Sequence, residues 1–335
     1  MKVVGIGGGT GLPVLLSGLA ELSTRETPLD LTAIVTVSDS GGSTGVLRRA
    51  FDMPAMGDIR NCLISLAAKD SLLTSVCQHR FENPEVFAGH SVGNLILSAL
   101  YQMSGNFAAA VHQASNLLGL KGRVLPATEI PVTLCALYKD GTTTRGESNI
   151  PKPGVHIGRV WLEPEDPPAA PGVLEALQDA DAIVIGPGSL YTSIIPNLLV
   201  AGVADALKVS RAMEIYICNL MTQPGETEGF SAADHLRVLF DYLLEPVDIC
   251  VLNSSALGTA VAQRYVESGS EIVTGSPEDD DQIRRSGVVP VAAPLLSGGQ
   301  MKVRHDPATL ARLVVSLAHG FAGVREIICG QGNGR

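Results

Sequence analysis

The chain has 335 residues, with 24 Lys and Arg against 34 Asp and Glu, a formal net charge of −10, and 45% hydrophobic against 17% charged residues. So apolar a chain with so little charge is not a disordered one, and its acidic balance excludes a general nucleic-acid binder, which needs a basic face to release counterions. Small anions stay within reach, because backbone amides and a few arginines can hold phosphate inside an acidic protein. Residues 1–150 carry 11 basic and 12 acidic groups and residues 151–335 carry 13 and 22, so the excess charge lies in the second half.

In chain order, Val3–Ile6 reads as a strand that runs into glycines and a helix from about Leu12 to Leu22. Leu31–Val37 is a second strand, ending at Ser38-Asp39-Ser40. Residues 58–118 read as consecutive helices without strands, one of them opening at Gly89–Asn94 and closing near Met103. Within 122–165, Val132–Tyr138 and Thr142–Glu147 flank Lys139-Asp140-Gly141, a hairpin turn expected to extend the main sheet in antiparallel fashion. Ala182–Ile185, Glu214–Cys218 and Val247–Leu252 are further strands, ending at Gly186-Pro187-Gly188-Ser189, Asn219 and Asn253. The acidic run Glu278–Asp281 is expected on a solvated surface loop. Arg304-His305-Asp306 precedes the last helix, with Pro307 at its first position and Asp306 placed to cap it.

Continuous apolar strands alternating with helices predict an α/β fold, a Rossmann-like, doubly wound, mainly parallel sheet. One domain is expected over 1–325, with a helical insertion at about 58–118, a hairpin extension at about 122–165 and a tail at 326–335. Ligands of such sheets bind outside the carboxyl ends of the strands, which makes Asp39, Gly186–Ser189, Asn219 and Asn253 candidates for one crevice. Six single cysteines with no ligand spacing read as reduced thiols, and the uncharged stretch between Asp181 and Asp205 is broken by Gly, Pro and Asn. A cytoplasmic protein with no membrane segment is expected.

Five constellations could carry chemistry. Gly7-Gly8-Gly9-Thr10-Gly11 joins strand to helix, where close-lying amides and a helix N-terminus favour phosphate. Its spacing departs from G-x-G-x-x-G, and Asp39 follows about thirty residues on where roughly 20 would suit a ribose-binding acid, which argues against a dinucleotide. Ser38-Asp39-Ser40-Gly41-Gly42-Ser43-Thr44-Gly45, followed by Arg48 and Arg49, joins a carboxylate, hydroxyls and guanidinium groups, a set suited to a phosphorylated ligand with a divalent cation. No Lys follows as in a P-loop. Gly57-Asp58-Ile59-Arg60-Asn61 offers a second acid, which could cap a helix or share a cation with Asp39. Gly89-His90-Ser91-Val92-Gly93-Asn94 has G-x-S-x-G spacing but follows no apolar strand, so a ligand-contacting helix start is the better account than a nucleophile elbow. Gly186-Pro187-Gly188-Ser189 repeats the physics of the first loop, and Asn219 to Thr227 adds amide and hydroxyl side chains suited to base or sugar.

Together these blocks, with Gly146–Ile150 and Met221–Thr227, resemble the gluconeogenesis factor family of the YvcK type, a branch of the CofD-like superfamily founded on 2-phospho-L-lactate transferase. The resemblance implies a bacterial cytoplasmic protein, commonly a homodimer, that binds UDP-sugars, notably UDP-N-acetylglucosamine, and serves growth on gluconeogenic carbon sources and cell shape. Arg304 is then a candidate ligand contact. The full ligand-binding set is Gly8, Gly9, Thr10, Gly11, Ser43, Thr44, Arg48, Arg60, Asn61, His90, Asn94, Gly186, Gly188, Ser189, Asn219, Thr222, Gln223 and Arg304. The alternative is a metal-assisted transferase acting on a nucleotide diphosphate, with Asp39 and Asp58 holding Mg²⁺; no other cofactor is implied. Ser40 stands where many relatives carry a second acid, which weakens a catalytic metal site. Pro307 stands where some relatives carry a phosphorylatable threonine, which argues against that switch.

Overall fold

A computed structural model describes residues 1–69, 71–82, 89–298 and 302–330, the last ten of these by their backbone alone. The first half runs β1 (Lys2–Gly7), α1 (Gly11–Leu22), β2 (Asp30–Val35), α2 (Gly42–Phe51), α3 (Gly57–Leu66), α4 (Leu72–Gln78), α5 (Val92–Ser104), α6 (Phe107–Leu118), β3 (Arg123–Pro126), β4 (Thr133–Tyr138), β5 (Thr143–Arg145) and β6 (Ile157–Glu163). The second runs α7 (Val173–Gln178), β7 (Ala182–Ile185), α8 (Ile195–Leu198), α9 (Val203–Val209), β8 (Met213–Ile217), α10 (Ala232–Phe240), β9 (Ile249–Asn253), α11 (Thr259–Glu267), α12 (Pro277–Arg285), β10 (Val289–Ala293) and α13 (Pro307–Gly330).

Seven strands form one sheet in the order β10-β9-β8-β7-β1-β2-β3, every neighbouring pair parallel. The central strands are buried along their whole length because helices cover both faces, which is why they read as unbroken apolar runs. From β1 the chain steps outward to β2 and β3, then returns to the other side of β1 with β7 and proceeds to β10. The order therefore reverses between β1 and β7, where Ile6 faces Ile185. Ligands of such sheets bind at the carboxyl ends of the strands that flank this switch point.

Three expectations need correction. The hairpin belongs to a separate three-stranded antiparallel sheet, β5-β4-β6, and does not extend the main one. Its turn forms as expected, with the Asp140 carboxylate accepting from the Thr142 amide at 2.8 Å. Residues 123–126, assigned to that extension, instead form the parallel edge strand β3 beside β2. The acidic run opens helix α12: Ser276 and Asp279 form a reciprocal capping box, and buried Asp279 also accepts from the Ala233 amide at 3.1 Å. Acids suit that position because the first turn carries partial positive charge. Of the expected tail, 326–330 continue α13 and 331–335 lie outside the described residues. Among the described residues no helix is long and apolar enough to cross a membrane.

Candidate functional site

The loop after β1 and the loop after β7 lie against one another. Gly186 is buried at the base, its amide donating to Ile6 O at 2.8 Å. A Cβ at Gly11 would sit 2.3 Å from Pro187 O, so only glycine lets helix α1 start so close to the neighbouring backbone. The first-turn amides of α1 have no partner within the helix and point outward at this crossing, where the helix dipole adds positive charge.

Two connected chambers open over the crossing. The smaller, about 210 Å³, is lined by Gly9, Gly11, Gly188, Ser189, Asn219, Gln223 and residues 303–305 among others. The larger, about 470 Å³, runs between α1 and the α3–α4 region past Arg60, Asn61, Lys69 and Gln78. Both include Thr10, Val14 and Arg304, which makes them one cleft. Arg304 is exposed and forms no ion pair or side-chain hydrogen bond with any described residue. Gln223 donates to Ser189 Oγ at 2.7 Å, and Asn219 approaches Gln223 Oε1 at 3.4 Å, so a fixed chain of amides lines the far wall.

A web of neutral acceptors surrounds Arg60, whose side chain is nine-tenths buried. It donates to Ser91 Oγ, to Asn94 Oδ1 at 3.1 Å and to Asn61 Oδ1 at 2.7 Å. Asn94 donates to Ser43 Oγ at 3.1 Å, which pairs with His90 Nδ1 at 2.8 Å, and Asn61 donates to Gly9 O at 3.2 Å. Burial lowers the Arg60 pKa, and Arg80 lowers it further, against opposing pulls from Asp58 and Asp39. A guanidinium held this way keeps its charge without a carboxylate bonded to it.

Acids gather on the other flank of Gly8 and Gly9. A Cβ at Gly8 would meet Asp58 Oδ2 at 2.6 Å, so glycine there admits the carboxylate. Burial lifts Asp58 to about 6, with the Gly9 amide opposing the rise by donating to it and Asp39 adding to it. Asp58 does not cap its helix; it binds the amide of the glycine loop. Burial likewise lifts Glu147 to about 7, aided by Asp39, Asp58 and Glu226, and the Ser40 amide donates to it. Buried Glu226 is held at about 7 as well, while Thr192 Oγ1 donates to it at 3.2 Å. Among the described residues no group of three or more His, Cys, Asp or Glu is arranged to hold a metal. Asp39 acts electrostatically on Asp58, and Mg²⁺ asks for only one or two carboxylates, drawing its other oxygens from phosphate and water.

The structure thus brings Gly9, Thr10, Gly11, Arg60, Asn61, Gly188, Ser189, Asn219, Gln223 and Arg304 to the cleft. Ser43, His90 and Asn94 stand behind it in the Arg60 web, Gly8 packs on Asp58, and Thr44 is buried in α2. Two residues lie elsewhere. Arg48 donates to Val132 O and to Thr133 Oγ1 at 3.2 Å, tying α2 to the antiparallel sheet, and Thr222 is bonded at 2.8 Å both ways to Glu271. Sequence reasoning passed over Lys69, Glu147, Glu226 and His305. The loops around Glu147 and Glu226 were noticed for their motifs, but only the tertiary fold shows that half-buried Glu147 lies within electrostatic reach of Asp39, Asp58 and Glu226.

A Rossmann-like sheet with its cleft at the strand-order switch defines the class, and the chain belongs to the CofD family: the family described as 2-phospho-L-lactate transferase CofD matches residues 3–296. Within that family it is similar to the gluconeogenesis factor of Halalkalibacterium halodurans, 41% identical over 315 residues that cover 94% of this chain and 95% of that one. The gluconeogenesis factor of Bacillus subtilis is 40% identical over 319 residues, covering 94% and 98%. A crystal structure of a UPF0052-family protein from Bacillus halodurans matches with a TM-score of 0.88 at 41% identity, covering 94% of this chain and 99% of that one.

Proposed function

We propose that this chain is a cytoplasmic regulatory protein that binds a UDP-sugar, UDP-N-acetylglucosamine above all, and links gluconeogenic growth to cell shape without breaking a bond in its ligand. One observation carries this reading: two chambers meet over the α1 N-terminus at Thr10, Val14 and Arg304, so a ligand with a charged middle and two polar ends fits. The diphosphate lies over the first-turn amides of α1 and the Gly188-Ser189 loop, within reach of Arg304, which has no partner among the described residues. Nucleoside and sugar extend to either side, one along Asn219 and Gln223, the other past Arg60 and Asn61. The larger chamber alone has the size of an ordinary small-molecule site. Similarity to two proteins named gluconeogenesis factor supports the physiological half of the proposal. The homodimer belongs to the same reading and is checked by sedimentation equilibrium.

A second reading is favoured by the Asp39–Asp58 pair. In a transferase these two acids would hold Mg²⁺ on the diphosphate, neutralising charge while an acceptor attacks phosphorus in line. Purified protein incubated with UDP-N-acetylglucosamine, with and without Mg²⁺, separates the two. Saturable heat on titration with the ligand recovered intact is the expected result. Release of a uridine nucleotide overturns the regulatory reading in favour of the transferase.

A further inference from the structure

The larger chamber follows one face of α1. Thr10, Val14 and Ser17 line it at spacings of four and three, which puts them on a single helical stripe, and the next position of that stripe is Glu21. Thr10 and Glu21 are 11 residues apart in the chain, which is about 16 Å along the helix axis. Lys69, from the turn between α3 and α4, lines the chamber, and its ammonium pairs with the Glu21 carboxylate. The diphosphate position therefore lies at one end of the stripe and an ion pair at the other. Charge in the chamber has one sign: Arg60, Lys69 and Arg304 line it, and no described Asp or Glu does. Arg60 is nine-tenths buried and its acceptors among the described residues are all neutral, with Asp58 and Asp39 acting on it only through space. A diphosphate over the α1 N-terminus answers Arg304 but lies too far down the stripe to reach Lys69. The Lys69–Glu21 pair is open to water, its side chains 66% and 52% exposed. A pair that open contributes little, so an anionic group of a ligand exchanges with Glu21 at small cost. Uridine is uncharged at physiological pH, so the group that meets Lys69 sits on the sugar.

We infer that the larger chamber is the sugar subsite and that Lys69 selects for a carboxylate on the sugar, taking it in place of Glu21. The inference rests on the UDP-sugar reading of the same cleft. It adds the orientation of the ligand and the class of sugar favoured: on a given sugar frame, the acid-bearing form over the neutral one. The nucleoside then lies along Asn219 and Gln223, whose amide side chains suit an uncharged base. Glu21 sets the selectivity from the rim, because it competes with the ligand's carboxylate for one ammonium.

The test is calorimetric titration of the full chain with UDP-glucose and with UDP-glucuronate, which differ by a hydroxymethyl group against a carboxylate on the same sugar, comparing wild type, Lys69→Gln and Glu21→Gln. Both substitutions change side chains more than half exposed, so the circular dichroism melt of each variant is expected to match wild type. Wild type is expected to bind UDP-glucuronate about fivefold more tightly than UDP-glucose, the upper range for a partly exposed ion pair, with the preference narrowing as salt is raised. Lys69→Gln should bring the ratio to about one while leaving UDP-glucose at its wild-type affinity. Glu21→Gln frees the ammonium and should widen the preference roughly twofold or more, again without moving UDP-glucose. A pair that only braced the wall would shift both ligands together in either variant, and that result overturns the inference. Equal or weaker binding of UDP-glucuronate by wild type overturns it while leaving the UDP-sugar reading intact, and a preference that persists in Lys69→Gln overturns the role of Lys69. Silence of the wild type toward UDP-glucose, UDP-glucuronate and UDP-N-acetylglucosamine alike overturns the UDP-sugar reading itself, and this inference with it.

Discussion

Replacing Asp58 by asparagine isolates what burial of one carboxyl does to this fold. Burial lifts the group to about 6, roughly two pH units above an ordinary aspartate, and each such unit corresponds to about 1.36 kcal/mol. Fully expressed, that is about 3 kcal/mol against the ionised form at neutral pH; the side chain keeps some solvent contact, so about 2 kcal/mol is expected. An acid with a raised folded pKa binds its proton more tightly when folded. Stability therefore falls as pH climbs from about 4 to about 6 and stays reduced above that window. The substitution Asp58→Asn is not a truncation: it still presents an oxygen to the Gly9 amide while removing the charge that burial and Asp39 oppose. Followed by circular dichroism, Asp58→Asn is expected to melt ~3 °C above wild type at pH 7.5 for a chain of this length. The gap should close at pH 4, where both side chains are neutral. A melting temperature equal to or below wild type at pH 7.5 refutes the assignment of burial as the dominant cause.

Gly11→Ala drives a methyl into the Pro187 backbone and is expected to cost about 1–3 kcal/mol of stability while abolishing ligand heat, measured by urea denaturation and titration. Arg304→Ala removes an exposed guanidinium with no partner among the described residues, so stability should stay within about 0.5 kcal/mol while UDP-sugar affinity drops on the order of tenfold or more. Glu226→Gln removes a carboxylate that burial holds at about 7. Its advantage over wild type in denaturant should appear as pH rises from about 4.5 and be complete above about 7, the reverse of a salt-bridged acid.

Much of this architecture could be read from local pattern. Val3–Ile6, Ala182–Ile185 and Val247–Leu252 are apolar on nearly every residue because helices cover both faces of their sheet, and such runs need no alternation to be recognised. Strands β3 and β10 escaped for the complementary reason. They are edge strands, each with a proline (Pro126 at the end of β3, Pro290 within β10), and partly exposed, so no unbroken apolar run marks them. The crossing of the two glycine loops followed from strand order once β1 and β7 were both recognised. The acids were a different matter. Glu147 sits 108 residues from Asp39 and Glu226 lies further still, so their meeting is a product of topology that no local spacing encodes. The glycines themselves proved ambiguous: Gly11 is demanded by Pro187 and Gly8 by Asp58, and a ligand is not needed to account for either.

What points to a ligand is therefore the charge left over, and it is distributed unevenly across the cleft. Arg60 and Arg304 line the larger chamber, as does Lys69, which is paired with Glu21, while Asp39 and Asp58 lie on the opposite flank of Gly8 and Gly9 and Glu147 couples to both. A diphosphate laid over Thr10 and Gly11 adds negative charge beside Asp58, which already holds the Gly9 amide next door. Two carboxyls there titrate at about 6 and about 7, so added negative charge is met either by protons taken up on Asp58 and Glu147 or by a divalent cation between Asp39 and Asp58. These alternatives separate the two functional readings. Proton uptake requires binding without Mg²⁺ to tighten as pH falls from 8 to 6, with heats that change with the ionisation enthalpy of the buffer. A cation-dependent site requires the opposite: weak binding without Mg²⁺ at every pH, and buffer-independent heats once the ion is present. A regulatory site that breaks no bond predicts the first pattern, and observing the second moves the assignment to the transferase.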